Sequence, residues 1–520
     1  MRLHYRPLLG AALLVLLGGL LVACSTNPVT GERELSLISE RQELELGRKN
    51  YAPYRQAQGG DYVADPQLVK YVQAVGARLA KVADRPLEYE FRIVNDATPN
   101  AWALPGGKIA VNRGLLLELD SEAELAAVLS HEIVHAAARH SAKSLERGAL
   151  LQGAVLAAGV ALSDSEYRQA GMLGASLGAN LTQQYYSRDA ESEADHYGIR
   201  YMVRAGYDPQ AAVELQQTFV RLNQDKSPGW LEGLFASHPP SPQRVVDNRK
   251  LVATLNNPGG EIGREAYQRA TARLRRSKPA YEAYAEAQKA LEDGNKGRAL
   301  QLVDKALRIE PDEAQFHALR GQIRQQQGKD KEALADFDRA VDKNPEYFGN
   351  YLLRGLLQRE LGRRDAAQRD LAASVARLPT GEGHYGLGLL AEGGGRQGQA
   401  IEHFRKAAQA EGEIGKRAGR QLARLDLPHN PQRYIDTGLG LAANGMLRVR
   451  LRNNSAVAVR GLRVSIGERN GLLLRELAAF ELDRALQPGQ QVDVVTRLGP
   501  VDAKTLARLQ AQVTQAQLAE

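Results

Sequence analysis

One short run constrains this chain more than any other, Ser130-His131-Glu132-Ile133-Val134-His135, because its chemistry works only on a helix. Residues four apart share a helix face, so the imidazoles of His131 and His135 can reach one metal ion, and zinc accepts such donors. Glu132 then projects beside the metal, where a carboxylate can take a proton from an attacking water. The preceding residues supply the helix start: Ser121 as cap, Glu124 three positions on, then apolar residues through Leu129.

Zinc needs a further protein ligand. His140 would be the metzincin choice, but Ala138 stands where that pattern has Gly, and His140 is nine rather than ten positions past His131. The run Ser187–His196 reads as a helix carrying Glu191 and Asp195 four apart on one face. One carboxylate can bind zinc while the other accepts from the free ring nitrogen of a ligand histidine and fixes its tautomer. Glu191 is the expected third ligand, with one Zn2+ per chain. Asp195, Arg188 and His140 are the expected supporting groups, and Arg188, Tyr185 and Tyr186 are the candidates for stabilising an oxyanion.

These residues resemble a known family. His131-Glu132-Ile133-Val134-His135, the run Arg188-x-x-Glu191-x-x-Ala194-Asp195 and the upstream Asn100–Ile109 are similar to the gluzincin metallopeptidases related to HtpX and the CaaX prenyl protease. The resemblance spans roughly residues 25–250, and the order with repeats following is most similar to the periplasmic BepA-like proteases. It implies His131, His135 and Glu191 as zinc ligands and Glu132 as the base, in agreement with the spacing. It also implies a role in quality control of outer-membrane proteins.

The amino terminus reads as a targeting segment. Arg2 and Arg6 precede an apolar run from Leu8 to Leu21, too short for a typical spanning helix, which ends Leu21-Val22-Ala23-Cys24. That ending resembles the bacterial lipoprotein signal, with cleavage before Cys24 and lipidation of its thiol. Ser25 next to it resembles the sorting of outer-membrane lipoproteins. Cys24 is the only cysteine, so no disulfide forms within the chain. Asn27–Gly31 reads as a turn-rich tether.

Helical patterns follow over Ser39–Tyr51 and Pro66–Val82, then a strand over Tyr89–Val94 and strand, Pro-Gly-Gly turn, strand over Asn100–Asn112. An exposed edge strand here would suit an extended peptide. Gly148–Leu162 is apolar but too short to span, and is expected as a buried or groove-lining helix paired with Tyr167–Leu181. In Ala236–Arg244, three prolines within four positions make a stiff loop behind His238. His238 is either a static structural or substrate-contacting residue or a reversible zinc ligand that holds the enzyme off.

A period of thirty-four then appears. Ala299, Ala333 and Ala367 keep it, as do Pro311, Pro345 and Pro379, while Gly321, Gly355 and Gly388 fall where each first helix needs close packing. This resembles the tetratricopeptide repeat, whose stacked helix pairs make a concave platform. Beyond Pro428, Met446–Arg452 and Val457–Ile466 alternate like strands, and residues 502–520 look helical. The expected fold class is α+β. It comprises a lipoprotein signal (1–24), a mainly helical zincin-type protease domain with a small sheet (25–255), a polar linker (256–280), an α-solenoid of repeats (281–427) and a small, sandwich-like β domain with a C-terminal helix (428–520).

The net charge of +7 is diluted over 520 residues with no aromatic-studded basic patch, so no nucleic-acid partner is expected. The leading expectation is a zinc endopeptidase in the periplasm of a Gram-negative bacterium, held to the outer membrane by lipidated Cys24 alone. It would degrade unfolded or misassembled envelope proteins, its repeats meeting clients or the outer-membrane protein assembly machinery. The alternative is a chaperone or scaffold of that assembly with latent protease activity.

Overall fold

A computed structural model of the chain describes residues 24–147, 186–225, 238–239, 241–255, 259–470 and 473–519. The expected helices within 148–181 and the signal segment before Cys24 lie outside them. The chain divides into two compact units, one ending at Tyr347 and one beginning at Phe348. No described helix is long and apolar enough to cross a membrane.

The described part of the first unit opens with a hairpin, and the expected turn-rich tether is its turn. Strands β1 (Cys24–Thr26) and β2 (Arg33–Leu35) pair antiparallel around the Asn27–Gly31 turn. Helices α1 (Glu40–Ala57) and α2 (Pro66–Ala80) follow, capped by Ser39 and Asp65. A three-stranded sheet then runs in the order β3 (Glu90–Val94), β5 (Lys108–Asn112), β4 (Ala101–Leu104), with β3 parallel and β4 antiparallel to β5.

Helix α3 (Glu122–Ala137) is buried on every side, only His131 being part-exposed. Such a helix belongs inside a core rather than on its surface. Leu125, Leu129 and Ile133 pack with Ile93, Ile109 and Val111 of the sheet. Helices α4 (Arg188–Arg204), α5 (Gln210–Asp225) and α6 (Pro242–Thr254) complete the layer that carries the site. At Gly198 a Cβ would stand 3.2 Å from the His131 nitrogen, so the missing side chain lets α4 approach α3 closely.

The expected linker is not one. Most of residues 256–280 belongs to α7 (Arg264–Glu292), which runs unbroken through Pro279. Tyr267, Leu274 and Tyr281 are buried along one stripe on both sides of the proline, and this burial outweighs a cost of about 3 kcal/mol for an interior proline. Tyr267 donates to the Leu116 carbonyl at 2.7 Å and Arg275 to that of Leu119 at 2.6 Å. Helices α8 (Lys296–Ile309), α9 (Ala314–Gln326) and α10 (Asp330–Lys343) continue the repeats within this unit. Buried Glu313 accepts from Tyr281 at 2.7 Å and from Asn95 at 2.9 Å, while the Arg113 guanidinium lies 3.5 Å over the Tyr281 ring. These contacts tie the repeats to the end of β3.

The second unit holds α11 (Phe348–Glu360), α12 (Arg364–Arg377), α13 (Gly381–Glu392), α14 (Gln397–Ala407) and α15 (Gly412–Asp426). Two three-stranded sheets follow, in the orders β10 (Gln491–Val495), β7 (Leu447–Asn453), β6 (Ile435–Leu441) and β11 (Leu509–Leu518), β8 (Val459–Asn470), β9 (Leu473–Leu482). Val449 and Leu451 of one share a core with Val464 and Val513 of the other. The expected C-terminal helix is reduced to the turn Ala503–Leu506, and the rest is β11. Pairing with β8 and burial of Val513 and Ala516 override the local helical preference of this Ala- and Gln-rich stretch.

In each repeat the period places a glycine against a large partner: Gly321 against Phe337, Gly355 against Leu371, Gly388 against Phe404. A Cβ at Gly321 would lie 2.5 Å from the Phe337 ring. Gly321→Val should therefore lower stability by about 1–3 kcal/mol through overpacking, read as a lower urea midpoint. An unchanged midpoint would mean that this contact does not set the helix spacing.

Candidate metal centre

Three histidines and a glutamate converge. His131, His135, Glu191 and His238 each offer one donor atom, and the four atoms lie within 4.8 Å of one another. His131 and His135 come from one face of α3, Glu191 from the first turn of α4, and His238 from the loop before α6. Ser121 caps α3, accepting from Glu124 N at 3.2 Å, and Ser187 caps α4, accepting from Ala190 N at 3.2 Å. The Nε2 atoms of His131 and His135 are 3.0 Å apart, and His131 Nε2 is 3.3 Å from His238 Nδ1. Two nitrogens on one tetrahedral zinc at about 2.0–2.1 Å stand about 3.3 Å apart, so these donors fit that ion.

Each α3 histidine is oriented from behind. His131 Nδ1 is 3.0 Å from Asp195 Oδ1, and Asp195 is held by Arg244 through Nη2 at 2.6 Å and Nε at 2.7 Å. Arg244 Nη1 also approaches Glu191 Oε2 at 2.8 Å and the Pro239 carbonyl at 3.3 Å. His135 has its ring stacked on Tyr186 at 3.8 Å and its Nδ1 2.9 Å from His140 Nδ1.

Burial alone would raise Asp195, but Arg244 and then His131 outweigh it and hold the carboxyl at about 2. Burial likewise opposes ionisation of Glu191, yet His238, His131 and His135 keep it well below the usual carboxylate range. His131 is pulled down by burial and raised more by Asp195 and Glu191, to about 10. The field that favours an imidazolium there favours a bound cation equally. His135 is pushed well below its ordinary value, first by burial. Burial also pushes Glu132 up, as suits a proton acceptor working near neutrality. Glu132 Oε2 and His238 Nε2 are buried without a hydrogen-bond partner among the described residues.

The comparisons agree with this geometry. A model of peptidase family M48 matches residues 66–252, and one of the tetratricopeptide repeat matches 284–348 and 352–413. The mitochondrial metalloendopeptidase OMA1 of Schizosaccharomyces pombe is 34% identical over 243 residues, which are 46% of this chain and 68% of that protein. The chain belongs to peptidase family M48. The beta-barrel assembly-enhancing protease of Escherichia coli strain K12 is 29% identical over 235 residues, 44% of this chain and 47% of that one. The OMA1 metalloendopeptidase of Arabidopsis thaliana is 32% identical over 202 residues, 38% of each. The chain thus spans about half the length of the M48 relative from E. coli.

Of the expected site residues of this M48 chain, His131, Glu132, His135, Glu191 and His238 lie together, with Asp195 and His140 directly behind them. Arg188 does not join them. It is exposed at the start of α4, and Asp195 takes its guanidinium from Arg244 instead. Two helical turns, about 11 Å, separate Arg188 from Asp195 along the axis. Tyr185 lies outside the described residues, and the Tyr186 hydroxyl bonds Ser141 Oγ at 2.9 Å. His384 and His403, which show no ligand spacing, meet at 3.1 Å in the second unit, two donors and not three. A cavity of about 40 Å³ adjoins the cluster, lined by His131, Glu132, Val128, Ile199 and Phe219.

Arg244 ends the stretch read around His238, but sequence reasoning assigned it no part at the metal. Arg244→Ala should weaken zinc binding by about 10–100-fold in a chelator competition. The folded carboxyl of Asp195 lies below its ordinary value, so its contribution to stability is complete above about pH 4 and is lost as pH falls through about 2. Removing Arg244 raises that carboxyl, and acid unfolding followed by circular dichroism should move to higher pH. An unmoved acid limb would contradict the assignment.

Proposed function

We propose that this chain is a zinc-dependent endopeptidase, with His131, His135 and Glu191 holding the metal and Glu132 acting as the base. The observation that carries this reading is the convergence of three largely buried imidazoles and a carboxylate beside a second carboxylate whose Oε2 has no hydrogen-bond partner among the described residues. Zinc in this site would act as a Lewis acid toward the scissile carbonyl and lower the pKa of a water toward about 7. Glu132 takes the proton as that water attacks and passes it to the departing amine nitrogen, so that it ends the cycle as it began. Asp195 and Arg244 keep His131 in the tautomer that presents Nε2. Glu132→Gln should retain zinc and lose about 10²–10⁴ in cleavage of an unfolded model protein. Full cleavage by that variant would overturn the assignment.

His238 is read as a reversible fourth ligand. Its Nδ1 is 2.9 Å from Glu191 Oε1 and its Nε2 is 3.4 Å from Glu132 Oε1, so the ring stands between the ligands and the base. Water and substrate need that space, and the loop must move before catalysis. His238→Ala should raise basal cleavage. A less active variant with zinc retained would remove the latch from the account. The same occupied position supports the second reading, a chaperone or scaffold whose protease activity is latent.

The clients proposed are unfolded or misassembled envelope proteins, with the repeats as their platform or as the contact to the outer-membrane assembly machinery. The name of the E. coli relative, a beta-barrel assembly-enhancing protease, supports that placement. The proposed location is the periplasmic face of the outer membrane, anchored through lipidated Cys24. Cys24→Ala should abolish incorporation of labelled palmitate and release the chain from the membrane fraction. Labelling that persists would contradict the anchor.

A further inference from the structure

The amino-terminal hairpin has no part in the chemistry above, yet contacts run from it to the metal centre through His140. His135 presents Nε2 to the cluster, 3.3 Å from Glu191 Oε1, and turns Nδ1 away toward His140. His140 is buried, with Nδ1 2.9 Å from His135 Nδ1 and Nε2 3.3 Å from Glu193 Oε1. The same Glu193 oxygen faces the side-chain amide of Asn27, at 3.3 Å. Asn27 is itself buried in the hairpin turn, its amide also donating to Glu34 at 3.1 Å and its Oδ1 accepting from Val29 N at 2.9 Å.

One set of tautomers is compatible with every contact. A ligand His135 bound through Nε2 carries its proton on Nδ1 and donates to His140 Nδ1. His140 then carries its own proton on Nε2, which faces the Glu193 carboxylate at 3.3 Å as an ion-pair contact without an aligned hydrogen bond, and Glu193 accepts from Asn27. A second strut runs in parallel. Arg139, in the left-handed region at φ 62° just past α3, donates to Ser25 at 3.2 Å, Ser36 at 2.9 Å, the Ile38 carbonyl at 2.7 Å and Glu43 at 2.7 Å. The hairpin therefore touches the residue just past α3 through Ser25 and the second turn of α4 through Asn27.

We propose that the Cys24–Leu35 hairpin is a supporting part of the metal centre, in which Asn27, through Glu193 and His140, fixes the ring of His135 for the metal. This rests on the zinc reading above. It makes Asn27, Glu193 and His140 positioning residues. Ligand histidines are commonly oriented by an acceptor on their free nitrogen, and loss of such a partner costs about 10–100-fold in metal affinity.

The test is the zinc affinity of the purified full chain, measured by chelator competition, with thermal melts of each variant. His140→Leu should lose about 10–100-fold in affinity. His140→Asn, whose Oδ1 can stand where His140 Nδ1 accepts, should retain most of it. Asn27→Ala should lose a smaller factor in the wild-type background and nothing further in the His140→Asn background, because the link to Glu193 is already cut. Wild-type affinity in His140→Leu would overturn the proposal. So would an Asn27→Ala loss that persists undiminished beside His140→Asn, since the hairpin would then act by packing alone. If His140→Leu fails to fold, the Asn27 and His140→Asn cycle still decides. A wild-type chain that binds no zinc would instead sink the zinc reading itself.

Discussion

The pairing of Arg244 with Asp195 and Glu191 is the interaction on which the rest of the site depends. Glu132, Glu191 and Asp195 are all buried within two helices, and an unpaired charge in such an interior costs several kcal/mol. Arg244 spans two of these carboxylates and also holds the Pro239 carbonyl. It thereby fixes the tautomer of His131, the rotamer of Glu191 and the position of the loop that carries His238. Asp195 and Glu191 bias His131 toward positive charge, whereas burial dominates at the neighbouring His135.

The protease core and the first repeats form one frame. Helix α7 begins against the loop before α3 and ends inside the first repeat, so no flexible joint divides them. Glu313, Asn95, Arg113 and Tyr281 form a buried polar group at that join, with every partner inside the first unit. Breaking one member would leave a buried charge unpaired, and such networks favour a single arrangement over many. The end of β3 is thus braced from the side of the repeats.

Local spacing carried much of this architecture. His131 and His135, and again Glu191 and Asp195, are four apart, and that interval alone puts each pair on one face. The thirty-four-residue period was equally plain because Gly321, Gly355 and Gly388 each answer a large residue sixteen positions on. Arg244 was not legible, since nothing in the sequence gives the distance between a helix at 195 and one that begins at 242. Arg188 had the better local claim and lost it to geometry. The 256–280 stretch looked solvated through its many arginines, although Tyr267, Leu274 and Tyr281 recur at an interval of seven and mark a buried stripe. Strand β11 was hidden for a different reason: its partner β8 lies about fifty residues away, and long-range pairing leaves little trace in a local pattern.

The most direct measurement is an anomalous-difference map from crystals of the zinc-loaded chain, collected on both sides of the zinc absorption edge. The expected result is one strong peak within about 2.0–2.2 Å of His131 Nε2, His135 Nε2 and a Glu191 oxygen, with Glu132 beside it and unbound. A peak elsewhere, or none between α3 and α4, would contradict the metal centre and the mechanism built on it.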